Sequence, residues 1–163
     1  MATLDILTWP DERLKQLSDE VTVFDDALQT TANDLIETMR AGPGGVGIAA
    51  PQTGHLIRMV VVDVSGRPDV PNHGLLVLVN PEISKWKGMA KGREGCLSVP
   101  DFTGKVIRAE KITLRAQDLK GKERIFHMQG YEARAVQHEI DHLDGLLFLD
   151  RLVSRRHDLI PRK

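Results

Sequence analysis

The sequence predicts a single α+β domain over residues 1–163, with a helix near the N-terminus, antiparallel sheets in the middle and a second helix late in the chain. A length of 163 residues suits one domain and leaves no room for a second. Two separated segments carry apolar residues at helical spacing, and the runs between them are rich in strand-forming residues. Because the connections between those runs are short, hairpins are favoured over crossover helices.

The first helix is predicted from Asp25 to Arg40, where an acidic start suits a helix N-terminus. Its apolar residues recur every three or four positions, at Leu28, Ala32, Leu35 and Met39. Gly42 and Pro43 follow directly and are expected to end the helix.

The next segment, residues 42–54, is rich in Gly and Pro and is predicted as a loop or irregular edge that reaches the surface. Residues 42–47 match GxGxxG, but they follow a helix instead of a strand, and no GK[ST] triplet occurs. A dinucleotide site and a P-loop are therefore excluded. Free backbone amides and the side chain of Gln52 suit an extended peptide and a developing oxyanion. A plain glycine-rich turn is the alternative.

Four runs are predicted as strands: residues 57–64, 75–80, 105–118 and 123–128. The short connection at residues 119–122 favours a hairpin. A helical period begins after Gly130 and lasts until Gly145. The apolar residues 146–153 are expected to pack back on the core, which leaves a basic end at residues 154–163.

The late helix carries HEIDH, from His138 to His142. Residues four apart lie on one face of a helix, so both imidazoles can reach one metal ion, and Glu139 can reach a water bound to it. This spacing suits metal-dependent hydrolysis. The alternative is a pair of ordinary polar helix positions beside Asp141 and Asp144.

Two histidines require a third protein ligand. The extended protease pattern HExxHxxGxxH would place His at position 148, where the chain has Phe148, and no Glu follows Glu139. Asp150, His157 and Asp158 remain open as ligands. The only cysteine, Cys96 in EGCLS, excludes an intramolecular disulfide and offers a thiolate that binds Zn²⁺ or Fe²⁺. A buried structural thiol and a nucleophile are the other two interpretations of Cys96.

Three segments in this order, GVGIAAPQ (45–52), EGCLS (94–98) and QHEIDHLDG (137–145), resemble the signature motifs of peptide deformylases. The resemblance extends over essentially the whole chain. It implies one catalytic domain, an α+β fold in which antiparallel sheets pack around a central helix that carries HExxH. The implied activity is removal of the formyl group from the N-terminal formylmethionine of newly made polypeptides, with release of formate.

The resemblance also implies the metal site. Glu139 would act as general base and then as general acid. Glu94 is counted with the substrate-binding residues, and Arg108 would support it structurally by forming an ion pair with it. The implied ion is a single divalent metal, usually Fe²⁺, for which Zn²⁺, Ni²⁺ or Co²⁺ can substitute. Its implied ligands are Cys96, His138 and His142.

For the substrate, the resemblance implies that Gln52 and the backbone N–H of Leu97 stabilise the oxyanion. Gly47 and its neighbours would pair with the substrate backbone, and Val46 would line the methionine pocket. In several relatives an Arg stands about five residues before the position of Arg108. This chain has Thr103 there, so contacts with the substrate backbone are expected to differ.

Composition limits the partners and the location. The net charge of −1 argues against a dominant polyanion-binding role, so no DNA partner is expected. No stretch approaches the roughly 20 apolar residues that span a bilayer, and no signal peptide is evident, so the expectation is a cytoplasmic protein without a membrane partner. The resemblance implies that it is bacterial. The basic end is either solvated or a weak contact with ribosomal RNA through Arg155, Arg156, Arg162 and Lys163.

Three other functions are left open by the residues alone. A zinc endopeptidase would use the same HEIDH, although the third His or Glu that such enzymes carry is absent. A metal-free Cys/His amidase would use Cys96 as nucleophile. A non-enzymatic binding module would have no need of Glu139 beside the two histidines.

Overall fold

Two antiparallel sheets flank a helix in the computed structural model, which describes residues 3–42, 45–152, 154 and 158–161. The helices are α1 (Asp26–Ala41) and α2 (Gly130–Leu143). The strands are β1 (Gly47–Ala49), β2 (Met59–Val62), β3 (Leu76–Lys87), β4 (Ala90–Cys96), β5 (Val99–Arg108), β6 (Lys111–Gln117), β7 (Glu123–Gln129) and β8 (Leu159–Pro161). One sheet has the order β1-β2-β3-β6-β7 and the other the order β4-β5-β8, so β1 and β4 are both edge strands. The predicted α+β class is confirmed.

Helix α1 forms where the sequence predicts it. Asp25 caps it by accepting a hydrogen bond of 3.0 Å from the backbone N–H of Leu28, and Gly42 is the residue that follows its last turn. The predicted apolar stripe is buried and packs against β2 and the start of β3. Pro43 lies outside the described residues.

The predicted strand runs are correct in kind, but their ends differ. The run 75–80 extends to Lys87, and the run 105–118 is two strands, β5 and β6, separated by Ala109 and Glu110. The hairpin at 119–122 is present, with Gly121 at φ 83° in the turn. Strands β4 and β8 were not predicted, because AKGREGC and LIP lack the alternation of apolar residues that marks a strand.

The prediction of a surface loop over residues 42–54 is wrong for residues 47–50. Residues 47–49 form β1, which pairs with β2, and Ile48, Ala49 and Ala50 are fully buried. Helix α1 and helix α2 both pack on this strand and exclude water from it. The prediction of an edge is confirmed, since the outer side of β1 remains unpaired within the described residues.

Helix α2 is the central element. Ala133, Val136, Ile140 and Leu143 pack against the five-stranded sheet, while polar residues of the same helix contact β4 and β5 of the smaller sheet. This arrangement matches the predicted central helix that carries HEIDH. None of the described helices is long and apolar enough to cross a membrane.

The apolar residues after α2 pack back on the core as predicted. Phe148 and Leu149 are buried in a cluster with Cys96, Val99 and Val106 of the smaller sheet. The prediction that residues 154–163 form a solvated end is wrong in part, because Leu159–Pro161 pairs with β5 as strand β8. The basic residues Arg155, Arg156, Arg162 and Lys163, like Val153 and His157, lie outside the described residues.

Candidate active site

A cleft of about 600 Å³ opens between the two sheets. Residues 45–47 of the β1 side form one wall, residues 93–97 of the β4 side form the other, and α2 forms the floor with Tyr131, Ala135 and His138. Because β1 and β4 are edge strands, both walls offer backbone groups that are not used within the sheets.

The three predicted metal ligands meet at the bottom of this cleft. One ligand atom from each of Cys96, His138 and His142 lies within 4.8 Å of the others, and all three residues are buried. The Sγ of Cys96 is 3.4 Å from Nε2 of His142. Cys96 reaches this point because it ends β4 and a two-residue turn follows it, while the histidines lie one helical turn apart on α2.

His138 is held in place by Glu94. The Nδ1 of His138 is 2.8 Å from Oε1 of Glu94, so its other ring nitrogen faces the cluster. Burial opposes the charge on Glu94, but hydrogen bonds with His138 and Arg108 outweigh it and hold the pKa of Glu94 well below its usual range. Burial likewise opposes the charge on His138, but hydrogen bonds with Cys96 and Glu94 hold the pKa of His138 well above its usual range.

His142 is in a different electrostatic environment. Burial and the charge of His138 hold the pKa of His142 well below its usual range, so its imidazole is neutral. A neutral imidazole is the form that binds a metal ion. Its Nδ1 is buried without a hydrogen-bond partner among the residues that the structure describes.

Glu139 lies beside the cluster and has no strong partner. Its Oε1 is buried with no hydrogen bond in the described part of the chain, and it is 3.9 Å from Nε2 of His142. Burial raises the pKa of the Glu139 carboxyl to about 7, because a charged carboxylate is poorly stabilised there. On its other side, the backbone of Gly47 is so close that a Cβ at that position would overlap Oε2 of Glu139.

Gln52 also points into the site. Its Oε1 accepts a hydrogen bond of 2.9 Å from the backbone N–H of Ala49. Its Nε2 is then directed to Oγ of Ser98 at 3.0 Å and to Sγ of Cys96 at 3.4 Å. Leu97 follows Cys96 in the turn between β4 and β5 and lines the cleft, as does Val46 at the start of the opposite wall.

Comparison with known proteins decides the family. The polypeptide deformylase family model matches residues 3–158. The peptide deformylase of Thermodesulfovibrio yellowstonii is 42% identical over 163 residues, which cover all of this chain and 97% of the relative. The crystal structure of a peptide deformylase from Legionella pneumophila superposes with a TM-score of 0.86 at 44% identity and covers 94% of this chain and 88% of that one.

This chain belongs to the polypeptide deformylase family. A further solved structure is the Met-Ala-Ser-bound class I type b peptide deformylase from Acinetobacter baumannii. Its TM-score is 0.86 at 37% identity, and the match covers 93% of this chain and 99% of that one. The prediction of a metal-dependent deformylase is therefore confirmed, and the zinc endopeptidase alternative is not favoured.

The donor set of this deformylase suits a divalent metal ion. One thiolate and two imidazoles are ligands that Zn²⁺ and Fe²⁺ both accept, and a set of three protein ligands would leave room for water or substrate. Donors that share one ion at about 2.0–2.3 Å must lie as close together as these three do. The buried Glu139 Oε1 without a described partner indicates that the space beside the ligands is built for a polar guest.

The sequence alone did not identify Asp141, Arg134 and Arg151 as members of the buried charge cluster of this deformylase. Arg108 donates to both carboxylates, and Arg151 donates two further hydrogen bonds to Asp141, of 3.0 and 2.9 Å. Arg134 donates to Glu94 at 2.7 Å. The sequence alone indicates the Glu94 and Arg108 pair only through the family resemblance, and no local pattern marks the partners of Asp141.

Thr103 is the position at which the family resemblance leads us to expect an Arg in several relatives. Its Oγ1 accepts a hydrogen bond of 3.0 Å from Nε of Arg93 on the neighbouring strand. Both residues line the cleft. The guanidinium of Arg93 therefore lies at the wall of this cleft, although residue 103 is a threonine.

Proposed function

We propose that this chain removes the formyl group from formylmethionine at the start of newly made polypeptides and releases formate. The observation that carries the proposal is the position of Glu139. Its buried Oε1 has no hydrogen-bond partner among the described residues and lies 3.9 Å from Nε2 of His142. A carboxylate oxygen beside three candidate metal ligands is what proton transfer in amide hydrolysis requires.

Glu139 moves the proton in both halves of the reaction. Its Oε1 accepts a proton from the attacking water as the water oxygen bonds to the formyl carbon. It then gives that proton to the amide nitrogen as the carbon–nitrogen bond breaks, because an amide nitrogen is a poor leaving group unless it is protonated. A pKa of about 7 for Glu139 suits both steps near neutral pH. A bound divalent ion supplies Lewis-acid polarisation and lowers the pKa of water.

Gln52 and Leu97 stabilise the oxygen that becomes negative during the attack. The support for Gln52 is that its Oε1 is fixed by Ala49, which turns Nε2 toward Cys96. The support for Leu97 is that its backbone follows Cys96 directly and lines the cleft. Donors of this kind each contribute about 3 kcal/mol to the transition state.

The substrate lies between the two edge strands as an added strand. Gly47 and its neighbours on β1 offer the backbone groups, and Val46 lines the methionine pocket. The Acinetobacter relative is described with Met-Ala-Ser bound. We expect the cleft of this chain to hold peptides with an N-terminal methionine in the same way, with Glu94 and Arg108 fixing the wall.

The metal ligands are Cys96, His138 and His142, and the ion in the cell is Fe²⁺, with Zn²⁺, Ni²⁺ or Co²⁺ able to replace it. Their support is the mutual distance of at most 4.8 Å and the mixed sulfur and nitrogen donor set.

We further propose that residues 1–163 act as one catalytic domain in the bacterial cytoplasm. A weak ribosome contact through the basic C-terminal residues completes the proposal.

One experiment tests this function. The protein is purified anaerobically, its metal content is measured, and turnover of formyl-Met-Ala-Ser is compared with that of acetyl-Met-Ala-Ser. We expect about one bound metal, rapid turnover of the formyl peptide only, and loss of both metal and activity with a chelator. Equal rates on the two peptides, or no turnover of either by the metal-loaded chain, would overturn the proposal.

A further inference from the structure

The mouth of the cleft carries positive charge that the hydrolysis step does not use. Five arginine and glutamate side chains line the cleft: Arg67, Arg93, Glu94, Arg134 and Glu139. Both carboxylates are buried at the base. Arg134 is occupied by Glu94 and by two backbone carbonyls, at 2.7, 3.0 and 2.6 Å. Only Arg67 and Arg93 of this set are exposed cations that line the cleft.

Arg93 is held at the wall through one end of its guanidinium. Its Nε donates to Oγ1 of Thr103 at 3.0 Å, and no carboxylate in the described part of the chain forms an ion pair with it. In the register of β4 and β5, Arg93 lies directly opposite Lys105. Two cations side by side repel each other unless an anion lies between or above them. The carboxylate of Asp158 forms an ion pair with Lys91 at 3.3 Å, and the charge of Lys105 also helps to lower the pKa of Asp158.

Arg67 supplies a second cation at the same opening. Its Cζ lies 4.1 Å from the centre of the Tyr131 ring, which fixes the guanidinium over a residue that lines the cleft. No ion pair joins Arg67 to a carboxylate among the residues that the structure describes. Among the residues that line the cleft, Arg67 and Arg93 are therefore two positioned cations, and none is an exposed carboxylate.

The position of Arg93 along β4 decides which part of a substrate it meets. Arg93 stands three residues before Cys96 on the same strand. An extended chain rises about 3.3 Å per residue, so Arg93 lies about 10 Å from the candidate metal ligands along the wall. A substrate with its formyl carbon at those ligands, extended along this wall, places the side chains one and two positions after methionine at that distance.

We infer that Arg93, supported by Arg67, makes this cleft prefer formylmethionyl peptides that carry Asp or Glu directly after the methionine. The inference rests on the proposed deformylation, because it names the substrate class of the same cleft. The attraction acts between exposed groups, so it is moderate in size and decreases as salt screens it.

The test compares formyl-Met-Asp-Ser with formyl-Met-Lys-Ser, and uses formyl-Met-Ala-Ser as the neutral reference. We expect kcat/KM of the metal-loaded chain to favour the acidic peptide by about three- to tenfold at low ionic strength and by less at about 0.5 M salt. Arg93→Gln should bring the ratio close to one. Arg124→Gln is the matched control, since Arg124 is an exposed cation on β7, the edge strand farthest from β1. It should keep the parent ratio.

Affinities of the unformylated peptides Met-Asp-Ser and Met-Lys-Ser, measured by calorimetry, give a second readout that does not depend on turnover. Tighter binding of the acidic peptide, lost in Arg93→Gln, supports the inference. Equal kcat/KM and equal affinities for the two peptides in the parent chain, or a preference that Arg93→Gln leaves intact, would overturn it. A chain that turns over none of the peptides contradicts the proposed deformylation, and the affinities still decide the preference.

Discussion

Arg108 donates two hydrogen bonds, of 3.0 and 2.9 Å, to the carboxylate of Glu94, and both side chains are buried. The same carboxylate accepts from His138 at Nδ1. The guanidinium is therefore part of the support that fixes the orientation of a candidate metal ligand. A second carboxylate, that of Asp141, lies on the other side of Arg108 and completes a buried chain of charges.

Arg108→Met should destabilise the protein strongly. The change leaves Glu94 and Asp141 with fewer compensating charges in the interior, and breaking a buried pair of this kind costs about 3–5 kcal/mol. The free energy of unfolding in urea measures the loss. Arg115→Met is the control, because Arg115 and Glu123 form an exposed pair that contributes about 0–1 kcal/mol. Similar small losses in the two variants would show that the buried pair does not stabilise the fold.

Gly47→Ala should reduce activity by displacing a carboxylate. A Cβ at position 47 would overlap Oε2 of Glu139 and would lie 3.0 Å from its Cγ and Cδ, so the Glu139 side chain must move. A shift of about 1 Å at a reacting group lowers the rate by about a hundredfold. Turnover of formyl-Met-Ala-Ser and metal content are measured together, and only turnover is expected to fall.

The control for this change is Gly66→Ala. Nothing lies within 4 Å of a Cβ at Gly66, and its backbone is outside the left-handed region. The variant should keep parent turnover. If Gly47→Ala is equally active, then the carboxylate tolerates the shift and its position is not critical.

The parts of this molecule that could be predicted are those with a local signal. Helices α1 and α2 follow from apolar spacing, and His138 and His142 follow from positions four apart on one helical face, with Glu139 next to the first of them. Cys96 is a candidate third ligand from its thiolate chemistry, but the residues alone leave Asp150, His157 and Asp158 open, and only the family resemblance implies Cys96 as the ligand. These features depend on short stretches of sequence, and the structure brings the two histidines and the cysteine together as expected.

The parts that could not be predicted depend on distant partners. Strand β4 has few apolar residues and exists because β5 pairs with it, and β1 is buried because two helices cover it. Asp141 is one of four charged or polar positions in HEIDH, and only the fold shows that Arg108 and Arg151 meet there. Arg93 lies opposite Lys105 and near Thr103 because β4 pairs with β5. No residue spacing within β4 alone indicates that Arg93 lines the cleft.

Glu139→Gln should keep the fold and the metal and lose most of the activity. The amide has the same shape as the carboxylate but cannot accept and return the proton, and this role is worth about 10²- to 10⁴-fold in rate. Turnover of formyl-Met-Ala-Ser and metal content are measured on the same preparation. Asp144→Asn is the control, because Asp144 ends the same helix and forms a half-exposed pair with Arg58. Retained turnover in Glu139→Gln would remove Glu139 from the proton-transfer role.

Cys96→Ser should lower metal content and activity together. A hydroxyl is a much weaker ligand than a thiolate for Fe²⁺ or Zn²⁺, so only two strong donors would remain at the site. Metal analysis after dialysis is the measurement, with His55→Ala as the control, since His55 is an exposed histidine that does not line the cleft. The control should keep the metal of the parent chain. Full metal content together with lost activity in Cys96→Ser would instead indicate that the thiolate acts on the substrate, as in a Cys/His amidase.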